Sequence, residues 1–163
     1  MKQLLIFLAL TFTFSSQICS KTITELQYKQ QNKLTKSSAS QALSYFINVM
    51  NVYIDYNQNP SLESHNKMAI KIAPSLNKLD NIISNHSDKS FRILASSAYI
   101  AAVDLKTKSA AKKEKETITC FTALSTCLTQ MMPHIVNLVN EYKLPTTELE
   151  KLVKRMSSTR KNI

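Results

Sequence analysis

The sequence predicts an all-α protein: an antiparallel helical bundle of four main amphipathic helices with a short helix at each end. Three observations carry that expectation. The 163 residues include no glycine, where average usage would supply roughly eleven, so the tight Asn-Gly and Gly-X hairpins of sheet proteins cannot be built. Only four prolines interrupt the chain, and β-branched runs are scarce. Apolar residues recur at steps of three and four over long stretches, the period of a helix with one buried face. The absence of glycine also excludes phosphate-binding loops, dinucleotide fingerprints and the hydrolase nucleophile elbow.

The first segment is read as a secretory signal peptide over residues 1–20. Met1 and Lys2 give a short basic start, residues 4–10 are uninterrupted apolar, and small residues suit cleavage after Ser20. The apolar run is shorter than the about 20 residues needed to span a bilayer, so no transmembrane helix is expected in the mature chain. The expected location is secreted or periplasmic. A lipid anchor at Cys19 is the alternative, although Ser16-Gln17-Ile18 before it departs from the usual bacterial pattern. Residues 21–163 are then one helical-bundle domain.

A short first helix is expected over 22–36, with a weak stripe through Ile23 and Leu26. Serines 37, 38 and 40 offer caps for a strong amphipathic helix over 39–57, whose stripe is Ala42, Leu43, Phe46, Val49, Met50, Tyr53 and Tyr56. Pro60 suits the first turn of the next helix, whose stripe runs from Leu62 to Ile83. Pro74 should kink or split that helix. Ser87 or Asp88 caps a third helix with Phe91, Leu94, Leu105 and many alanines, which would let a neighbour approach closely. Residues 106–116 hold five lysines and two glutamates without a large apolar side chain, and read as a basic, solvated joint. The fourth helix covers 116–142, with Pro133 as a kink. Thr147 and Glu150 match a capping box for a short last helix, followed by a frayed basic tail over 157–163.

Twenty-one Lys and Arg stand against 11 Asp and Glu, a net charge of +10, and removal of Lys2 with the leader takes it to +9. Such a charge draws a small domain to anionic surfaces. Arginine supplies only three of the cations, and its planar fork is what reads phosphate and guanine, so sequence-specific nucleic-acid recognition is not expected. The anion-contacting candidates are Lys106, Lys108, Lys112, Lys113, Lys115, Lys154 and Arg155. A second surface candidate is the nearly uncharged row Gln41, Ser44, Asn48, Asn51 and Asp55, suited to hydrogen-bonding a protein partner with little desolvation cost.

Cys120, Cys127, Met131 and His134 share one helix face, and soft ligands of this kind suit Cu(I). Seven residues on a continuous helix separate the two thiols by roughly 10.5 Å, beyond the reach of a disulfide. Either the helix breaks, the thiols stay free, or they pair between chains. No Cys-x-x-Cys occurs, the acids are scattered, and His65 and His86 read as a boundary and a solvated loop residue. No catalytic residue and no cofactor is therefore expected.

Ile23-Thr24-Glu25-Leu26-Gln27 is similar to the Leu-Thr-x-x-Gln pattern of periplasmic stress chaperones of the Spy type. The likeness covers five residues, with isoleucine for leucine and no evident second copy, and implies a small exported helical chaperone. The reading that follows from the residues themselves is an exported, non-enzymatic binding protein whose basic surface meets an acidic protein or other polyanion. The alternatives are a metal or cofactor carrier using the cysteine, methionine and histidine face of helix 116–142, and a periplasmic chaperone-like protein.

Overall fold

The computed structural model describes residues 33–159. The segment read as a signal peptide, Cys19, most of the expected first helix and the pentapeptide 23–27 lie outside the described residues, as do the last four residues. Five helices occupy the described residues: α1 (Lys36–Asn57), α2 (Leu62–Ile83), α3 (Lys89–Ala110), α4 (Glu114–Tyr142) and α5 (Thr147–Thr159).

Three of the five helices, α1, α2 and α3, begin where a side chain satisfies an orphan amide, whereas α4 starts after Lys113 without one. Thr35, rather than the expected serines, caps α1 by accepting the Ser38 N–H at 3.1 Å. Ser61 and Ser64 form a reciprocal capping box on α2, at 3.1 and 2.7 Å. Asp88 accepts the Phe91 N–H at the start of α3, 3.1 Å away. Thr147 is the first residue of α5 rather than its cap, and the hydroxyl of the preceding Thr146 donates to the Glu150 carboxylate at 2.7 Å.

The helix ends show how a chain without glycine stops a helix. Lys112 and Lys143 are the two positive-φ residues among the described residues, at 56° and 49°. Lys113 N–H reaches back to the Lys108 carbonyl at 3.0 Å, and Leu144 N–H to the Val139 carbonyl, also at 3.0 Å. These are the long backward bonds of the Schellman stop, with lysine in the left-handed position that glycine ordinarily takes. The lysine charge beside the negative end of the helix offsets part of the conformational cost. The basic joint thereby shrinks to a turn of three residues, Ala111, Lys112 and Lys113.

Packing follows the apolar stripes. α2 packs against α1 and α3, α3 against α4, and α1 also touches α4 and α5. Phe46, Met68, Leu76, Phe91, Leu105, Leu124, Leu128 and Ile135 are almost wholly buried, each stabilising the fold by about 1.5–3 kcal/mol. The buried face of α3 is largely Ala95, Ala98, Ala101 and Ala102, and this helix contacts both α2 and α4. α2 runs unbroken through Pro74 and α4 through Pro133, so of the kink or split expected at Pro74, a split does not occur. The burial of Ile72, Leu76 and Leu79 around it outweighs one lost backbone hydrogen bond. No helix among the described residues is long and apolar enough to cross a membrane.

Candidate functional site

The lysine-rich turn is built by α3 and α4 together. Asn66 of α2 donates its amide to the Lys106 carbonyl at 3.0 Å and to Ser109 Oγ at 3.1 Å, while the Ser109 hydroxyl donates to the Leu105 carbonyl at 2.6 Å. The last turn of α3 is thus fastened to α2. Across the turn, Glu116 meets Lys108 at 2.7 Å and Lys113 at 3.5 Å. The Lys108 hydrogen bond holds the Glu116 carboxyl below its ordinary range, and Glu116 in return raises the Lys108 ammonium. All three side chains are at least one-third exposed, so these pairs orient more than they stabilise. Lys106, Lys112 and Lys115 are exposed and form no ion pair among the described residues.

The row on α1 has a different occupant. Arg155 of α5 donates to Asn51 Oδ1 at 2.5 Å and to Asp55 Oδ1 at 2.6 Å. Asn48 donates its amide to Ser75 Oγ of α2 at 2.9 Å. Three of the five candidate partner-binding residues are therefore engaged within the chain, and Arg155, expected to contact an anion, fastens a helix. Gln41 and Ser44 stay exposed. Ser44, Asn48 and Asn51 line one wall of a groove of about 450 Å³, with Pro145, Thr147 and Glu148 on the other. Lys154 is exposed and forms no ion pair among the described residues.

The proposed soft-ligand face is divided by packing. Met131 is fully buried, and Cys120 and Cys127 are half-buried free thiols on the uninterrupted α4. Burial pushes both thiols up, away from the thiolate that metal binding needs. His134 is turned to Asp88, with Nδ1 2.6 Å from Oδ2. No group of three or more His, Cys, Asp or Glu placed to hold a metal lies among the described residues.

That His134 contact belongs to a cluster that tertiary structure assembles from three places. Asp88 caps α3 with Oδ1 and holds His134 of α4 with Oδ2, while its own N–H donates to His86 Nδ1 at 3.1 Å. The Phe91 ring stacks on His134 with centroids 5.4 Å apart and meets the His86 ring edge-on at 5.7 Å. His86 is therefore buried, not solvated, at 8% exposure. Burial lowers its basicity, opposed by the nearby Asp88 and Glu141. Burial also pushes the Asp88 carboxyl up, yet the Phe91 N–H and His134 outweigh it and leave Asp88 below its ordinary value. The only sequence signal for this cluster was the capping role of Asp88.

His65 is likewise a core residue rather than a boundary one. Its ring lies 4.5 Å from Phe121, which stacks in turn on Tyr53 at 5.8 Å. Its Nε2 has no hydrogen-bond partner, and burial lowers its basicity. The Tyr53 hydroxyl shares a 2.8 Å hydrogen bond with Ser125. No nucleophile is aligned with either buried histidine by any hydrogen bond among the described residues.

Fold and site together define a helical protein with a cation-bearing turn and tightly committed histidines. No protein-family model, curated protein or solved structure matches this chain.

Proposed function

We propose that this is an exported, non-enzymatic binding protein, built as an antiparallel bundle, whose basic end engages an acidic protein or other polyanion. The observation that carries the reading is the α3–α4 turn. Glu116 is shared between Lys108 and Lys113 and offsets only one of their charges, while Lys106, Lys112 and Lys115 are exposed with no ion pair among the described residues, in a chain of net charge +10. A short turn between two packed helices presents these cations on a fixed base, so less order is lost on binding than from a flexible tail. Charge alone suffices for contact of this kind, which weakens as salt rises.

Retention of the full chain on immobilised polyglutamate and heparin, eluted with rising salt, tests this reading. The Lys112→Glu/Lys115→Glu double variant should elute at clearly lower salt than a Lys71→Glu/Lys78→Glu control, which makes the same change of charge. Lys71 and Lys78 sit over the Tyr56 and Tyr45 rings instead. Equal shifts from both pairs, or no retention at low salt, would overturn the assignment to this turn.

A further inference from the structure

Four of the seven large apolar side chains exposed among the described residues, Ile70, Ile93, Ile100 and Val103, belong to α2 and α3. Ile70 of α2 and Val103 of α3 both line a groove of about 280 Å³, whose walls also include Pro74, Asn77 and Tyr99. Lys106 also lines it, and no carboxylate does among the described residues. Exposed apolar residues scattered singly need no explanation, but Ile70 and Val103 line one groove from two helices and offer it a continuous apolar surface. One polar feature sharpens what could fill it: the Lys106 ammonium, in the last turns of α3, has no ion-pair partner among the described residues.

We infer that the α2–α3 groove receives an amphipathic acidic segment of a partner protein, its apolar side chains on Ile70, Tyr99 and Val103 and a carboxylate on Lys106. The inference rests on the acidic-partner reading above and adds a specificity that charge alone lacks. Charge complementarity selects this occupant: a mostly apolar groove lined by the unpaired Lys106 and no carboxylate leaves a purely apolar or basic segment with an unmatched cation. A helix presenting apolar residues at i, i+3, i+4 and i+7 with acids beside them would meet both features at once.

Fluorescence anisotropy of the full chain with two synthetic peptides tests it. One carries leucines at i, i+3, i+4 and i+7 with glutamates elsewhere; the other has the same composition scrambled so that its leucines share no face. The amphipathic probe should bind about tenfold more tightly, roughly what burying one or two aliphatic side chains supplies. Val103→Gln should remove that advantage while leaving heparin retention unchanged. Ile70→Gln, on the opposite wall, gives the same readout should the first variant fold poorly. Equal binding of the two peptides, or an advantage that survives both substitutions, overturns the groove while leaving polyanion retention intact. Loss of heparin and polyglutamate retention in the unaltered chain would instead be a failure of the underlying reading.

Discussion

At the scale of single residues, this chain concentrates several tasks on Asp88. One carboxylate oxygen caps α3, the other holds His134, and the backbone N–H fixes the His86 tautomer as an Nδ1 acceptor. Loss of a capping side chain alone costs about 1 kcal/mol, and loss of a partly buried charged hydrogen bond about as much again. Asp88→Ala should therefore lower stability by about 2 kcal/mol in urea unfolding. Asp88→Asn, which keeps the cap, should lose roughly half as much, and equal losses from the two would contradict the division of roles. The two left-handed lysines offer the reverse experiment. Lys143→Gly removes the Cβ clash in αL at φ 49° and should raise stability by up to about 1 kcal/mol. A destabilised Lys143→Gly would show that the cation–dipole contact outweighs the backbone strain.

Helices as units expose where local rules yield to packing. Pro74 sits in the middle of α2, where proline removes a backbone hydrogen bond and usually costs about 3 kcal/mol. Pro74→Ala should accordingly stabilise the protein by about 1–3 kcal/mol, read as a raised Tm. An unchanged or lowered Tm would mean that the proline ring itself packs in the α2–α3 groove to good effect. α5 relies on fewer contacts, burying Leu149 and Leu152 and anchoring Arg155 on Asn51 and Asp55. Arg155→Ala should speed hydrogen exchange across 147–159 with little change in α2 or α3. Uniform protection across the two forms would show that apolar contacts alone hold α5.

For the whole molecule, the buried histidines set the response to acid. His65 and His86 both have folded-state basicities depressed below the ordinary 6.5 by burial. The unfolded chain therefore takes up protons first as pH falls. Their contribution to stability is complete above about pH 6.5 and is lost progressively below it, toward the depressed folded values. Asp88, also depressed, contributes above its unfolded value near 3.8 and loses that contribution only in stronger acid. The urea midpoint should thus be lower near pH 5 than near pH 7.5, and His65→Leu should flatten part of that slope. A midpoint independent of pH across this interval would contradict the burial of both rings.

The all-helical class was legible in the sequence because it follows from local physics: no glycine, few prolines, and apolar residues repeating at the helical period. Element boundaries fell within a few residues for the same reason, since a cap such as Asp88 acts on its immediate neighbours, although the cap of α2 is Ser61 and Pro60 precedes the helix. The candidate cations were also visible, but which of them remain unpaired was not. Glu116 reaches back across the turn to Lys108, and Arg155 crosses about a hundred residues of chain to Asp55. A helix-face pattern likewise placed His134 beside Met131 and the cysteines, whereas packing turned it to Asp88, 46 residues away. Composition and periodicity fix what each segment can do alone. Pairing of charges, burial of histidines and the groove between α2 and α3 depend on distances between residues remote in sequence, and only the packed bundle sets those.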